Sequence, residues 1–104
     1  MALMQLTMIP VGSSVSVGKY VTNIQRYLEQ ENATFQLNDM GTLIEGDIKY
    51  LLSLLGQIYE IPFKEGALRV VTNITIDDRR DKKIKIGDKV RSVTRKLKKD
   101  RIKP

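Results

Sequence analysis

TFQLNDMGTLIEGD, residues 34–47, holds two short β-strands, the turn between them and the start of a helix. Phe35 and Leu37 alternate with polar residues, which is the pattern of a strand with one buried face. Gly41 predicts a break or tight turn, after which a second strand follows over about 42–45. Asp47 is suited to the N-cap of a helix. The stretch therefore predicts a β-hairpin that leads directly into a helix.

The sequence before this hairpin predicts one strand and one helix. Met4, Leu6 and Met8 alternate with polar residues in a strand over Leu3–Pro10. A helix follows over about 17–31, because its apolar residues recur at spacings of three and four. Ser16 is the expected N-cap of this helix, and Asn32 is suited to the left-handed position after it.

The sequence after the hairpin completes a βαββαβ order. The second helix should kink or end near Ile61, because Pro62 lacks the backbone donor that a helix interior needs. A β-branched strand is predicted over about 69–76 and a last helix over about 87–99. This order predicts an α+β ferredoxin-like fold, with a four-stranded antiparallel sheet, two helices on one face and an added C-terminal helix.

The other face of this sheet, which carries Gln5, Thr7 and Ile9, has only the last helix available to cover it. A half-covered sheet in so small a protein favours association of copies. We therefore expect a homo-oligomer, dimer or tetramer, that forms through the open sheet face.

Charge is divided unevenly along the 104 residues. Residues 1–78 hold 5 Lys/Arg and 9 Asp/Glu, whereas residues 79–104 hold 13 Lys/Arg and 3 Asp. We expect one domain over 1–99 and a basic tail over 100–104. The alternating charges of Asp77–Asp81 favour a network of ion pairs after the last strand or a contact between copies in an oligomer.

Composition also bears on function. The chain has no His and no Cys, so a Ser-His-Asp or Cys-His arrangement cannot form, and we expect no catalytic residues, no metal ligands and no cofactor. No apolar run reaches membrane-spanning length, and the N-terminus lacks a basic segment typical of a signal peptide, so no membrane association and a cytoplasmic location are expected.

Nucleic-acid binding is the competing function, because the basic C-terminal part offers contacts to phosphates. The first and last strands of the sheet carry no aromatic residue on which a base could stack. The sequence therefore disfavours nucleic acid as a partner. A purely structural, oligomeric ferredoxin-like protein is a further alternative.

Two motifs and three shorter segments resemble the small thiamine-binding protein family over residues 3–97. The motifs are the run at 40–47 and IDDRRDK at 76–82; the shorter segments lie at 9–12, 14–21 and 69–72. The resemblance implies a ferredoxin-like fold, dimers or tetramers, and binding of thiamine or a hydroxymethylpyrimidine-type ligand. Such a small-molecule binder would act as a carrier, a sensor or a salvage accessory. The chain departs from the family at Pro62 and in its longer basic tail.

Given this resemblance, four residues of the 40–47 motif are candidate ligand contacts. The Glu45 carboxylate could accept a hydrogen bond from the amino group of the pyrimidine, or it could be a solvated charge at a strand end. The Thr42 hydroxyl could bond the ring edge and the Met40 sulfur could pack on the ring face. Gly41 serves the backbone more than the ligand.

Four further candidates lie outside this motif. Ser14 and Ser16 precede the first helix, where hydroxyls and helix-start amides can bond a ligand or simply cap the helix. Tyr20 lies within one turn of these serines on an otherwise core-facing stripe. Asn73 stands among β-branched residues, where its amide would line a pocket or bond across a subunit interface.

Overall fold

A computed structural model describes residues 1–12 and 16–102, with the backbone alone at Ile102. The elements in chain order are β1 (Ala2–Pro10), α1 (Val17–Gln30), β2 (Thr34–Asn38), β3 (Gly41–Gly46), α2 (Ile48–Ile58), α3 (Ile61–Lys64), β4 (Val70–Asp78) and α4 (Asp88–Ile102). The sheet has the order β2-β3-β1-β4, and every neighbouring pair is antiparallel. This is the predicted ferredoxin-like α+β fold.

The core lies between one sheet face and the helices. Met4, Leu6 and Met8 of β1 are buried on this face, as their alternation predicts. Leu28 of α1 and Leu51 of α2 are fully buried against them. We call this side of the sheet the helix face and the opposite side the open face.

The helix ends follow the sequence signals with one correction. Ser16 and Asp47 occupy the predicted N-cap positions, but neither side chain makes a capping hydrogen bond. At the start of α1 the Ser16 carbonyl oxygen instead accepts hydrogen bonds from the amides of Lys19 and Tyr20. Asn32 has the predicted left-handed backbone, with φ of 54°.

Pro62 interrupts the second helical segment, as predicted. Helix α2 ends at Ile58, and the chain restarts the single turn α3 with Pro62 near its beginning. A proline fits there because the first amides of a helix have no intrahelical acceptor. Pro62 is also fully buried, so it contributes to the core.

The C-terminal part corrects the expectation that only the last helix could cover the open face. The segment 79–87, which we call the strap, crosses that face and buries Ile84. The side chains of α4 from residue 88 to 101 are all exposed, and the molecule measures 58 Å along its longest axis. The helix continues through Ile102, so residues 100–102 of the expected tail are helical.

The charged run after β4 forms local ion pairs. Arg79 pairs with Asp81 at 2.5 Å, and Arg80 pairs with Asp78 at 3.0 Å. Hydrogen bonding to the Arg79 guanidinium lowers the pKa of the Asp81 carboxyl. None of the helices described is both long enough and apolar enough to cross a bilayer.

Candidate functional site

A cavity of about 450 Å³ opens between α1 and the turn that joins β2 to β3. We call it the helix-face pocket. It brings together four of the predicted ligand contacts, which are Tyr20, Met40, Gly41 and Thr42. One of these comes from α1 and three from the turn and the start of β3. The fold therefore gathers residues that lie about 20 positions apart in the chain.

Tyr20 forms a fixed wall of this pocket. The residue is buried, and its hydroxyl donates a 2.5 Å hydrogen bond to the carbonyl oxygen of Met8. Burial raises the pKa of the Tyr20 phenol, so the group stays neutral at physiological pH. Because the hydroxyl is already used, Tyr20 offers a ligand mainly the surface of its ring.

Thr42 and Gln25 provide the polar part of the pocket. The Gln25 side-chain amide donates a 3.1 Å hydrogen bond to the Thr42 hydroxyl oxygen, and Thr42 is only 6% exposed. The other polar atom of the Gln25 side chain, Oε1, is buried without a hydrogen-bond partner in the part of the chain that the structure describes. A buried acceptor of this kind is costly unless a donor reaches it.

Gly41 sets the turn close against β1. A Cβ atom at this position would lie 3.0 Å from Cγ2 of Thr7 and 3.1 Å from the carbonyl oxygen of Leu6, and its φ is 152°. Only glycine fits such a close approach without a shift. Gly41 therefore positions its neighbours Met40 and Thr42.

The charge at the pocket is negative. Among the described lining residues, Asp39 alone has a carboxyl group, and none is a lysine or an arginine. Met40 is 83% exposed beside it, so its thioether is free to close over a bound molecule. The pocket therefore suits a flat, cationic ligand better than an anion.

Two predicted contacts, Glu45 and Asn73, lie on the open face and are not among the residues that line this pocket, although Thr7, the partner of Asn73, is. Glu45 is three residues beyond Thr42 on the same strand, and residues an odd number apart point to opposite faces of a sheet. The Glu45 carboxylate accepts a 2.9 Å hydrogen bond from the Ile86 amide in the strap. Asn73 is exposed opposite Thr7 of β1.

The two predicted serines are not both described. Ser16 is exposed at the position before α1, one residue from Val17, which lines the pocket. Ser14 lies outside the described residues. The helix-face pocket as described therefore rests on Tyr20 and the 40–42 turn rather than on the serine loop.

Sequence reasoning missed Gln25 and Asp39. Gln25 follows Val21 by four residues, so it lies above Val21 on the side of α1 that is partly buried. A polar residue four positions from an apolar one on this side of the helix was the signal that could have identified Gln25. Asp39 had no such signal, because its place beside the pocket depends on how the turn packs against α1.

A second cavity, of about 790 Å³, lies on the open face beneath the strap and the first turn of α4. We call it the strap cavity. Its sheet side includes Leu3, Gln5, Leu43 and Thr75, and lysines of the strap and α4 surround it. The described part of the chain contains no group of three metal-ligating side chains in either cavity or elsewhere.

Comparison with known sequences gives a consistent result. The chain matches the family described as thiamine-binding protein over residues 4–94. The UPF0045 protein YqgV of Bacillus subtilis is 44% identical over 102 residues, which cover 93% of this chain and 98% of that protein. A UPF0045 protein of Staphylococcus xylosus is 45% identical over 102 residues, with 93% and 95% covered.

Solved structures share the fold. A hypothetical protein of Methanocaldococcus jannaschii superposes with a TM-score of 0.78 at 28% identity, covering 89% of this chain and 95% of that chain. A Thermotoga maritima protein with a proposed part in thiamine biosynthesis or salvage superposes with a TM-score of 0.74 at 14% identity, covering 88% and 97%; this likeness concerns the fold alone. By sequence, the chain belongs to the thiamine-binding protein family.

Proposed function

We propose that the protein binds thiamine or a related aminopyrimidine, such as hydroxymethylpyrimidine, in the helix-face pocket and releases it unchanged. Membership of the thiamine-binding family supports the ligand class. The pocket volume of about 450 Å³ lies within the usual range for sites that hold small molecules. The pocket also gathers Tyr20, Met40 and Thr42, which were candidates from sequence.

The observation that carries this proposal is the pairing of Gln25 with Thr42. The Thr42 hydroxyl oxygen accepts a hydrogen bond from the Gln25 side-chain amide, so the Thr42 O–H remains able to donate. Gln25 Oε1 is an acceptor without a partner in the described chain. An aminopyrimidine presents the complementary pair on one edge, a ring nitrogen that accepts and an amino group that donates. Two hydrogen bonds would then fix the ring and satisfy the buried acceptor.

The charge and the apolar surface of the pocket suit the remaining parts of thiamine. The Asp39 carboxylate at the pocket favours the thiazolium cation of thiamine. The Tyr20 ring and the Met40 thioether offer apolar and polarisable surface to the faces of the rings. Hydroxymethylpyrimidine, which has no thiazolium, would keep the edge contacts and lose the contact with Asp39.

The residue types available support binding without conversion. The chain has no His or Cys, and the helix-face pocket offers one carboxylate, a buried phenol and neutral polar groups. This set suits recognition of a ligand by a cytoplasmic carrier, sensor or salvage accessory. In the same proposal copies associate through the exposed part of the open face, where Val71 stands beside Ile9, a residue that also borders the helix-face pocket.

Isothermal titration with thiamine, and separately with hydroxymethylpyrimidine, tests the site. We expect saturable binding that Thr42→Val weakens about tenfold, since it removes the hydroxyl at nearly constant volume. Gln25→Met should weaken binding by a similar factor. Thr75→Val, the same change on the open face, is the matched control and should leave the affinity within about twofold.

The outcome that contradicts this proposal is equally clear. If neither compound binds, or if Thr42→Val and Thr75→Val bind thiamine equally well, the helix-face pocket is not the site. Unchanged thermal unfolding of the Thr42→Val variant without ligand separates a lost contact from a lost fold.

A further inference from the structure

The sheet side of the strap cavity is mostly uncharged, with Asp77 beside Leu3 as its one carboxylate. Leu3 and Leu43 supply apolar surface on the sheet side, and Gln5 and Thr75 supply uncharged polar groups. In the described strands no aromatic side chain lies on this face. The volume of about 790 Å³ falls within the range of small-molecule sites.

The charges around this cavity are unbalanced. Four lysines line it, Lys82, Lys83, Lys85 and Lys89, and within the described chain none of them forms an ion pair. Arg79 is neutralised by Asp81. Four exposed lysines without an ion pair in the described chain therefore border the cavity.

The acidic groups at the cavity do not offset this excess. Asp88 accepts a hydrogen bond from the Lys85 amide and pairs with Arg91 at 2.6 Å, and these contacts lower the pKa of the Asp88 carboxyl. Asp77 is the remaining carboxylate on the lining. The lining therefore carries one carboxylate without an ion pair, with Glu45 beside it at the Ile86 amide, against four such lysines. The excess of positive charge favours an anion.

The backbone that carries these lysines is anchored to the body. Ile84 is 8% exposed, and the Ile86 amide donates to the Glu45 carboxylate of β3. The Asp88 carboxylate also holds the Lys85 amide at the start of α4. The lysines are therefore presented by a fixed segment and not by a free tail, which reduces the entropy lost when they close on a ligand.

We propose that the strap cavity is a second binding site, which takes a small phosphorylated compound. Its phosphate meets the ammonium groups of Lys82, Lys83, Lys85 and Lys89, and its uncharged part packs on Leu3 and Leu43. A phosphate group supplies several strong acceptors for such donors. The site selects the opposite charge from the helix-face pocket, and it does not depend on the function proposed for that pocket.

Phenyl phosphate is the probe, since it joins one phosphate to one apolar ring. We expect it to bind more tightly than inorganic phosphate, which lacks the ring, and than phenol, which lacks the charge. The double variant Lys85→Gln/Lys89→Gln should weaken its binding about tenfold. Lys98→Gln/Lys99→Gln removes the same charge from the far part of α4 and should change binding less than about twofold.

Three results would overturn this second site. Phenyl phosphate and inorganic phosphate of equal affinity would show that the sheet side takes no part. Equal loss in both double variants would show attraction to overall charge alone. An RNA oligonucleotide that displaces phenyl phosphate at equal phosphate concentration, and binds the two double variants equally, would mark a polyanion surface. Thiamine titrated into the Lys85→Gln/Lys89→Gln variant reports on the helix-face pocket separately.

Discussion

The two faces of one sheet carry opposite environments, although the same strands build both. On the helix face Met4, Leu6 and Met8 of β1 are buried beneath α1 and α2. On the open face the intervening Gln5 and Ile9 are exposed. The difference arises because successive side chains of a strand point to opposite sides, and only one side receives the helices.

This contrast extends to the two cavities. The helix-face pocket has helix and turn walls, a buried unpaired acceptor and the carboxylate of Asp39. The strap cavity is roofed by a charged segment, and its lysines, which form no ion pair in the described chain, lie around a sheet side whose one carboxylate is Asp77. Because the basic residues are concentrated after residue 78, the linings of the two cavities differ in the sign of their charge.

The largest expected effect is a difference in stability between alanine substitutions at two neighbouring residues of β3 that point to opposite faces. Ile44 is fully buried on the helix face, whereas Leu43 is partly exposed on the open face. Ile44→Ala should lower the free energy of unfolding by about 3–4 kcal/mol, since it leaves a cavity in the core. Leu43→Ala should cost about 1 kcal/mol. Urea unfolding measures both, and equal losses would contradict the assignment of the faces.

The second effect concerns the turn that shapes the helix-face pocket. Gly41→Ala should lower the free energy of unfolding by about 2 kcal/mol, because the added Cβ meets Leu6 and Thr7 of β1. Gly56→Ala is the matched control, since nothing lies within 4 Å of its added Cβ in α2. It should stabilise the protein by about 0.5–1 kcal/mol. A Gly41→Ala variant as stable as the native protein would show that the turn does not need this close approach.

The third effect concerns the attachment of the strap to the open face. Glu45→Ala removes the acceptor of the Ile86 amide and should speed hydrogen exchange at that amide about fivefold, equivalent to about 1 kcal/mol. Glu45→Gln keeps an acceptor oxygen and should restore most of the protection. Thiamine affinity should stay within about twofold in both variants. A large loss of thiamine binding on Glu45→Gln would instead place the ligand at the open face.

The smallest effect is a loss of stability at high pH that results from the burial of Tyr20. Burial raises the pKa of Tyr20 in the folded protein above its usual value near 10. The unfolded chain therefore ionises first, so the stability that Tyr20 contributes is complete below about pH 10 and is lost as pH rises through the folded pKa. Tyr20→Phe should lose less stability than the native protein between about pH 9 and pH 11. Parallel stability curves from urea unfolding would contradict this.

Much of the fold could be predicted from the sequence because its signals are local. The alternation of β1 and the β-branched run of β4 gave the strands, and Pro62 marked the break after α2. The N-cap positions were also local, but whether a side chain turns back onto the helix depends on its rotamer. Asp47 shows this, since it stands at the N-cap of α2 without a side-chain capping bond.

The site could be predicted only in part, because burial of a polar side chain is a tertiary property. The residues around Gly41 share a turn, so they stay together in space. Glu45 belongs to the same motif but faces the strap, through a contact to a residue 41 positions away. The sequence does not reveal the place of Gln25, because the Gln25 amide reaches Thr42 only through the packing of α1 over β3. The four lysines of the strap cavity likewise border the same cavity only because of the path that the strap takes across the open face.

The most direct test of the central claim is the map of amide chemical shifts during titration with thiamine. If thiamine binds the helix-face pocket, the largest changes fall at Tyr20, Gln25 and residues 40–42, while Leu3, Leu43 and Thr75 stay unchanged. If the changes instead centre on Leu3, Leu43 and the strap, the ligand occupies the open face, and the assignment of thiamine to the helix-face pocket is wrong.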